Sequence, residues 1–255
     1  MTHRFTGHDP AAGSDTGGVP WQGRTLTGTG FDQDTGEADP ALAELLARPE
    51  GSRDPREVVA AVAAARLIVP VVAVPGEVDT SSALPVDATS DMASVTLVAP
   101  DGQRALPAFT STAALAAWNP EARPVPVTAQ RAALAAVQEG CDVIPLDLPP
   151  APGAAACTLR PSMVWALAMA RAWVPAHEDE HVASAVTAVL AREPAVRAHR
   201  LAPGPQDALQ VELGLAPGLT QQQVQELVTR IGEALAGDGE TRARIDALAF
   251  RLVSG

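Results

Sequence analysis

One stretch constrains this chain more than any other: VVAAVAAARLIVPVVAVPG, Val58 to Gly76. It is long enough to raise the question of a membrane span. Arg66 near its middle answers it, because an arginine at the bilayer centre costs about 2.5–3.5 kcal/mol, and Pro70 follows closely. The stretch resolves instead into two elements. Asp54-Pro55 is a helix start, with Asp as N-cap and Pro at the first helical position, and the helix runs to about Ala65. Leu67 to Val74 then reads as a strand, continuous in branched aliphatics and therefore buried on both faces. Such a strand demands a sheet covered on both sides. Aromatic residues make up only 3% of the chain, so aliphatic side chains must build that core.

The rest of the pattern places further elements around this strand. Residues 1–39 lack hydrophobic period and read as a flexible leader. Asp39-Pro40 opens a short helix over Ala41–Ala47. Residues 75–93 read as a loop. Ser94–Ala99 and Gln103–Phe109 form a hairpin across Pro100-Asp101-Gly102, where Pro presets its own φ and Gly accepts a positive one. Thr112–Trp118 is a short helix closed by Asn119-Pro120. Arg123–Val127 carries two prolines and fits an edge strand. A helix over Ala129–Glu139 ends at Gly140, Cys141–Leu148 is an apolar strand, and Pro161–Trp173 is helical.

Val174-Pro175-Ala176 marks a joint. Beyond it the order is helix (Glu178–Arg192), hairpin (Val196–Leu201 and Ala208–Leu215), helix, strand. In the second hairpin strand Leu209, Val211, Leu213 and Leu215 alternate with Gln210, Glu212 and Gly214, the signature of a one-sided strand. Thr220 and Gln223 form a capping box ahead of the stripe Val224, Leu227, Val228, Ile231 and Leu235. The fold class that follows is α/β (α+β): two modules, over 40–174 and 175–255, each a small mixed sheet backed by helices.

Composition removes several chemistries. All 18 basic residues are arginine, and tyrosine is absent. Without lysine there is no phosphate-gripping Lys of the Walker type and no Schiff base. A formal net charge of −12 opposes binding to nucleic acid or to an anionic membrane surface. Cys141 and Cys157 have no metal-site spacing. The polar, Gly-rich N-terminal stretch does not read as a secretory signal, and a cytoplasmic location is expected.

Three motifs invite a catalytic or metal-binding reading. HEDEH, His177 to His181, fits H-E-x-x-H, in which two His one helical turn apart bind zinc and the Glu acts as base. Here the intervening Asp179 and Glu180 are both charged, and acids in a first helical turn are what the helix dipole favours. DQDTGEAD, Asp32 to Asp39, places its glycine one position early for a calcium loop. Ser111 lies between Phe109-Thr110 and Thr112-Ala113, without the glycines of a nucleophile elbow. The better reading makes Thr110 or Ser111 the cap of the short helix, with Phe109, Leu115 and Trp118 facing inward.

The segments GRTLTGTGFDQDTGEADPAL, RLIVPVVAV, TSDMASVTLVAPDGQRALPAFTSTAALAAW and RPVPV carry a resemblance to the SseB family, the enhanced serine sensitivity proteins, in their actinobacterial-type branch. It covers most of residues 23–150; the C-terminal module resembles that family's second domain more loosely. The resemblance implies an N-terminal α/β domain followed by a smaller one. It implies no established reaction, cofactor or catalytic residue.

The functional expectation is a soluble, non-enzymatic binding or adaptor protein without cofactor. Its partner is a protein or small ligand, neither nucleic acid nor membrane, and the binding surface lies around Asp91, Met92, Thr110 and Ser111. The alternatives are a zinc-dependent hydrolase using His177, Glu178 and His181, and a homodimer paired through the C-terminal hairpin strand.

Overall fold

The computed structural model describes residues 30–74, 91–151 and 155–253, those at 73–74 and 91–93 by backbone alone. Residues 1–29 of the expected leader and 75–90 of the expected loop lie outside the described residues. The described residues from 36 onward belong to one compact unit.

Helix α1 (Pro40–Ala47) begins at Asp39, whose carboxylate accepts the Leu42 N–H at 3.0 Å. A single 3₁₀ turn precedes α2 (Pro55–Ala64), which Asp54 caps through the Arg56 N–H at 2.8 Å. Strand β1 (Arg66–Val74) is the centre of a sheet ordered β2-β1-β5, with β2 at Asp91–Ser94 and β5 at Arg123–Thr128, antiparallel throughout. Asp91–Ala93 therefore belong to a strand and not to the expected loop.

Strand β1 is covered on both faces. Leu67 and Val69 enter the main core with α1, α2 and α4 (Ala129–Gln138), while Ile68 enters a second cluster with Phe109 and Leu115. Prolines fit this sheet by register. Ile68 exchanges its N–H and C=O with Phe109, each at 2.8 Å, so Ile68 and Pro70 turn their backbone groups away from β5. Their partners there, Pro126 and Pro124, are non-hydrogen-bonded positions whose nitrogens face outward.

The expected hairpin forms, but its first strand is divided. Val95-Thr96 separates β2 from β3 (Leu97–Val98), which pairs with β4 (Arg104–Ala105) across a turn holding Gly102 at φ +88°. The short helix α3 (Thr112–Trp118) follows. The expected strand Cys141–Leu148 shrinks to β6 (Ile144–Leu146), because Asp147 leaves the extended region at φ +50°. Its antiparallel partner β7 (Cys157–Leu159) follows a proline-rich stretch and was not readable from it. Helix α5 (Pro161–Ala168) stops five residues short of Trp173. Ala170 adopts φ +51°, and the Arg171 and Ala170 N–H groups bond Ala166 and Leu167 carbonyls at 2.8 and 3.0 Å. This is a Schellman closure with alanine where glycine is usual.

The C-terminal elements are α6 (Glu180–Leu190), β8 (Val196–Pro203), β9 (Leu209–Leu215), α7 (Gln221–Ala236), α8 (Gly239–Ala243) and β10 (Leu248–Val253). The capping box of Thr220 and Gln223 forms. The sheet order is β10-β9-β8, with β10 parallel to β9 through the helical crossover. Val182, Val186 and Leu190 of α6 and Leu227, Ile231 and Leu235 of α7 pack on Leu209, Val211 and Leu213. The alternation in β9 is less one-sided than its sequence implies. Glu212, on the face away from these helices, is buried as well. The whole is an α+β fold.

Candidate functional site

The corner between Phe109 and α3 is built from side chains distant in sequence. Asp147 turns its carboxylate onto Thr110, accepting the backbone N–H and the hydroxyl at 2.8 Å each. Arg66 donates to the Thr110 carbonyl at 2.8 Å and also to the Glu37 carbonyl. Ser111 caps α3: its Oγ accepts the Ala114 N–H at 3.0 Å, and its φ of −141° is ordinary extended backbone. The Thr112 N–H reaches the Gly36 carbonyl at 2.8 Å. Behind this polar layer Phe109 and Leu115 are fully buried. Trp118 packs against Phe109 with centroids 5.3 Å apart and ring planes tilted by 36°, but it is only partly buried, a correction to its expected place in the interior. The corner thus gathers Thr110 and Ser111 with their polar atoms bonded inside the fold. Asp91 and Met92 lie on β2, and their side chains fall outside the described residues.

The HEDEH segment folds differently from a zinc helix. Helix α6 starts at Glu180, two residues later than expected, because Asp179 is the cap. One Asp179 oxygen accepts the His181 and Val182 N–H groups at 2.8 and 3.3 Å, and the other accepts Arg244 Nη1 at 2.6 Å. His177 precedes the cap, so the two imidazoles do not share a helix face. His177 Nε2 lies 3.3 Å from Glu178, which also pairs with Arg56. His181 Nε2 lies 3.2 Å from the Thr241 hydroxyl and 3.7 Å from Asp238. Among the described residues no group of three or more His, Cys, Asp or Glu is arranged to hold a metal ion.

His177 opens onto a cleft of about 230 Å³ lined by Arg56, Arg160, Ser162, Trp173, Arg244 and Asp246 among others. Asp246 organises it. It accepts the Ser162 N–H and O–H at 2.8 Å each and Arg160 Nε at 2.9 Å. Ser162 in turn accepts the Trp173 indole N–H at 2.9 Å. Arg160 also pairs with Asp207, and Arg244 pairs with Asp179 and Glu240 while lying 4.7 Å from the Trp165 ring centroid. Every guanidinium in the cleft therefore faces a carboxylate. Hydrogen bonds from Thr241, chiefly its backbone N–H, hold the Asp238 carboxyl below its ordinary value, and that from Arg244 does the same for Glu240. The free thiols Cys141 and Cys157 are pushed up by burial, so both favour the protonated form.

Strand β1, the Thr110–Trp118 corner with Asp147, and the main core up to Ala166 fall within residues 39–166, and those residues match the family model of the SseB protein N-terminal domain. The chain belongs to the SseB family. No curated protein and no solved structure matches it. The SseB match ends inside α5, so α6 and the β8–β10 sheet lie beyond it. Among the described residues no helix is long and apolar enough to cross a membrane.

Three acids that organise this SseB protein escaped sequence reasoning. Asp147 sits in an apolar run, and its one hint is that Asp tolerates the left-handed region better than most residues. Asp246 caps a helix 84 residues away, and no local pattern announces that. Glu212 follows the polar rhythm of β9, which gives direction but not depth.

Proposed function

We propose that this SseB-family protein is a soluble, cytoplasmic, non-enzymatic binding or adaptor protein. One observation carries the reading: the polar side chains at both candidate places join parts of the protein to one another. Thr110 and Ser111 are bonded to Asp147 and the α3 backbone. Ser162, Arg160, Arg244 and Asp246 join α5 to the C-terminal elements. Such groups serve positioning, the first set within the N-terminal elements and the second between α5 and the C-terminal ones.

Co-purification from cells with mass spectrometry, paired with metal analysis, tests the reading. The expected result is a stoichiometric partner and no stoichiometric zinc. Stoichiometric zinc that disappears on His177→Ala, together with hydrolytic turnover, overturns it. A second reading, homodimeric assembly, has its own support. The edge that supports it is β10 and not the expected hairpin strand: β10 is an outer strand free of proline, whereas β8, the outer strand of the hairpin, carries a bulge and ends at Pro203. Light scattering at several concentrations separates a dimer from a monomer.

A further inference from the structure

The β8–β10 sheet has one face under α6 and α7 and one face open. Register places three rows across the open face: Ala202–Gln210–Ala249, Arg200–Glu212–Arg251 and Ala198–Gly214–Val253. The middle row is unusual. Glu212 is only 7% exposed, while its neighbours Arg200 and Arg251 are 72% and 63% exposed. Arg200 holds one Glu212 oxygen through Nε at 2.8 Å and Nη2 at 2.7 Å. Arg251 reaches the other at 3.5 Å, and Gln210 donates to it at 3.2 Å.

Charge does not balance in this row. Two guanidinium groups meet one carboxylate, and no other acid lies on the three strands. A guanidinium carries five N–H donors, so most donors of Arg251 and some of Arg200 remain directed to solvent. The island of positive charge stands out in a chain of net charge −12. Four of the six flanking positions are alanine or glycine, beside Gln210 and Val253, and leave the sheet low enough for an extended chain to lie across it.

We propose that this open face binds a short acidic segment of a protein partner, whose carboxylates take the outward N–H groups of Arg200 and Arg251. Acidic side chains two residues apart on an extended segment are about 7 Å from each other. The two arginines flank one strand, so their backbones are about 10 Å apart, and both side chains lean inward to Glu212. A nucleic acid fits less well, because a polyanion longer than the island runs onto the acidic remainder of the chain.

The proposal rests on the binding-protein reading above and names the partner's chemistry. The test is fluorescence anisotropy of the full chain with a labelled octapeptide of alternating Glu and Val. Arg251→Gln is expected to weaken binding about threefold and Arg200→Gln with Arg251→Gln about tenfold. Glu212→Gln removes the internal competitor and is expected to tighten binding. Arg230→Gln, on α7, leaves it unchanged. Circular dichroism checks that each variant is folded, and Arg251→Gln, which loses only the 3.5 Å contact, keeps the test valid if Arg200 proves structural. Absence of peptide binding, equal affinity of Arg251→Gln and Glu212→Gln with wild type, or tighter binding of an oligothymidine of equal charge overturns the proposal. A cellular partner captured equally well by the double arginine variant sinks this face and leaves the binding-protein reading standing.

Discussion

Asp147 holds a backbone conformation that costs a non-glycine residue roughly 1–2 kcal/mol, and it is offset by two hydrogen bonds to Thr110. Asp147→Ala removes both bonds and keeps the strain, so a loss of about 3 kcal/mol is expected. Around the same corner the ranking is set by depth. Phe109→Ala is expected to lose about 3–5 kcal/mol, and Trp118→Ala less, about 2, because its side chain is only partly buried. Ser111→Ala should lose about 0.5–2 kcal/mol as a missing cap. Urea midpoints of the four variants give the order; Trp118→Ala costing more than Phe109→Ala would contradict it. A cap at Thr110 or Ser111 was legible because the pair precedes an apolar helical repeat, a relation within four residues, and the structure places it at Ser111. The depth of Trp118 was not, since helical period reports a direction and not how far the neighbouring layer extends. Asp147 was hidden because its partner is 37 residues away.

Elements announced by local chemistry were read well: α1, α2 and α7 all begin at the caps their sequences advertise. Two helix boundaries without such an advertisement were misplaced. Helix α5 closes on Ala170 without a glycine, and α6 waits for Asp179 because that carboxylate is anchored by Arg244. Helix α8 shows what such anchoring does to titration. Asp238 and Glu240 have folded values below their ordinary ones. Their contribution is therefore fully present above the ordinary carboxylate range, near pH 4, and is lost as pH falls through the lowered folded values. Carboxyl resonances followed by NMR should titrate below those of unfolded peptides, and midpoints at the peptide values would count against the hydrogen bonds described.

At the scale of the molecule, the main core and the core under the β8–β10 sheet are separated by sequence and joined by polar contacts. Asp246 gathers three bonds of that joint, from the Ser162 N–H, the Ser162 hydroxyl and Arg160. Asp246→Ala orphans a helix donor and leaves the part-buried Arg160 with Asp207 as its carboxylate partner. It is expected to destabilise by about 2–3 kcal/mol and to split a single calorimetric transition into two. One sharp transition in the variant, at the wild-type temperature, would show the cores coupled by other means. The fold class was legible because hydrophobic period survives in each element; the joint was not, because nothing in the order of residues says which surface one core turns toward the other.

The alternation of Pro124 and Pro126 along β5 has a consequence for growth. With both nitrogens turned outward and bearing no hydrogen, that flank offers carbonyls but no donors over this stretch. A foreign strand approaching there finds half of its ladder missing, so seeded fibre extension stops at this margin, and any enlargement of the sheet by insertion has to begin from the opposite one.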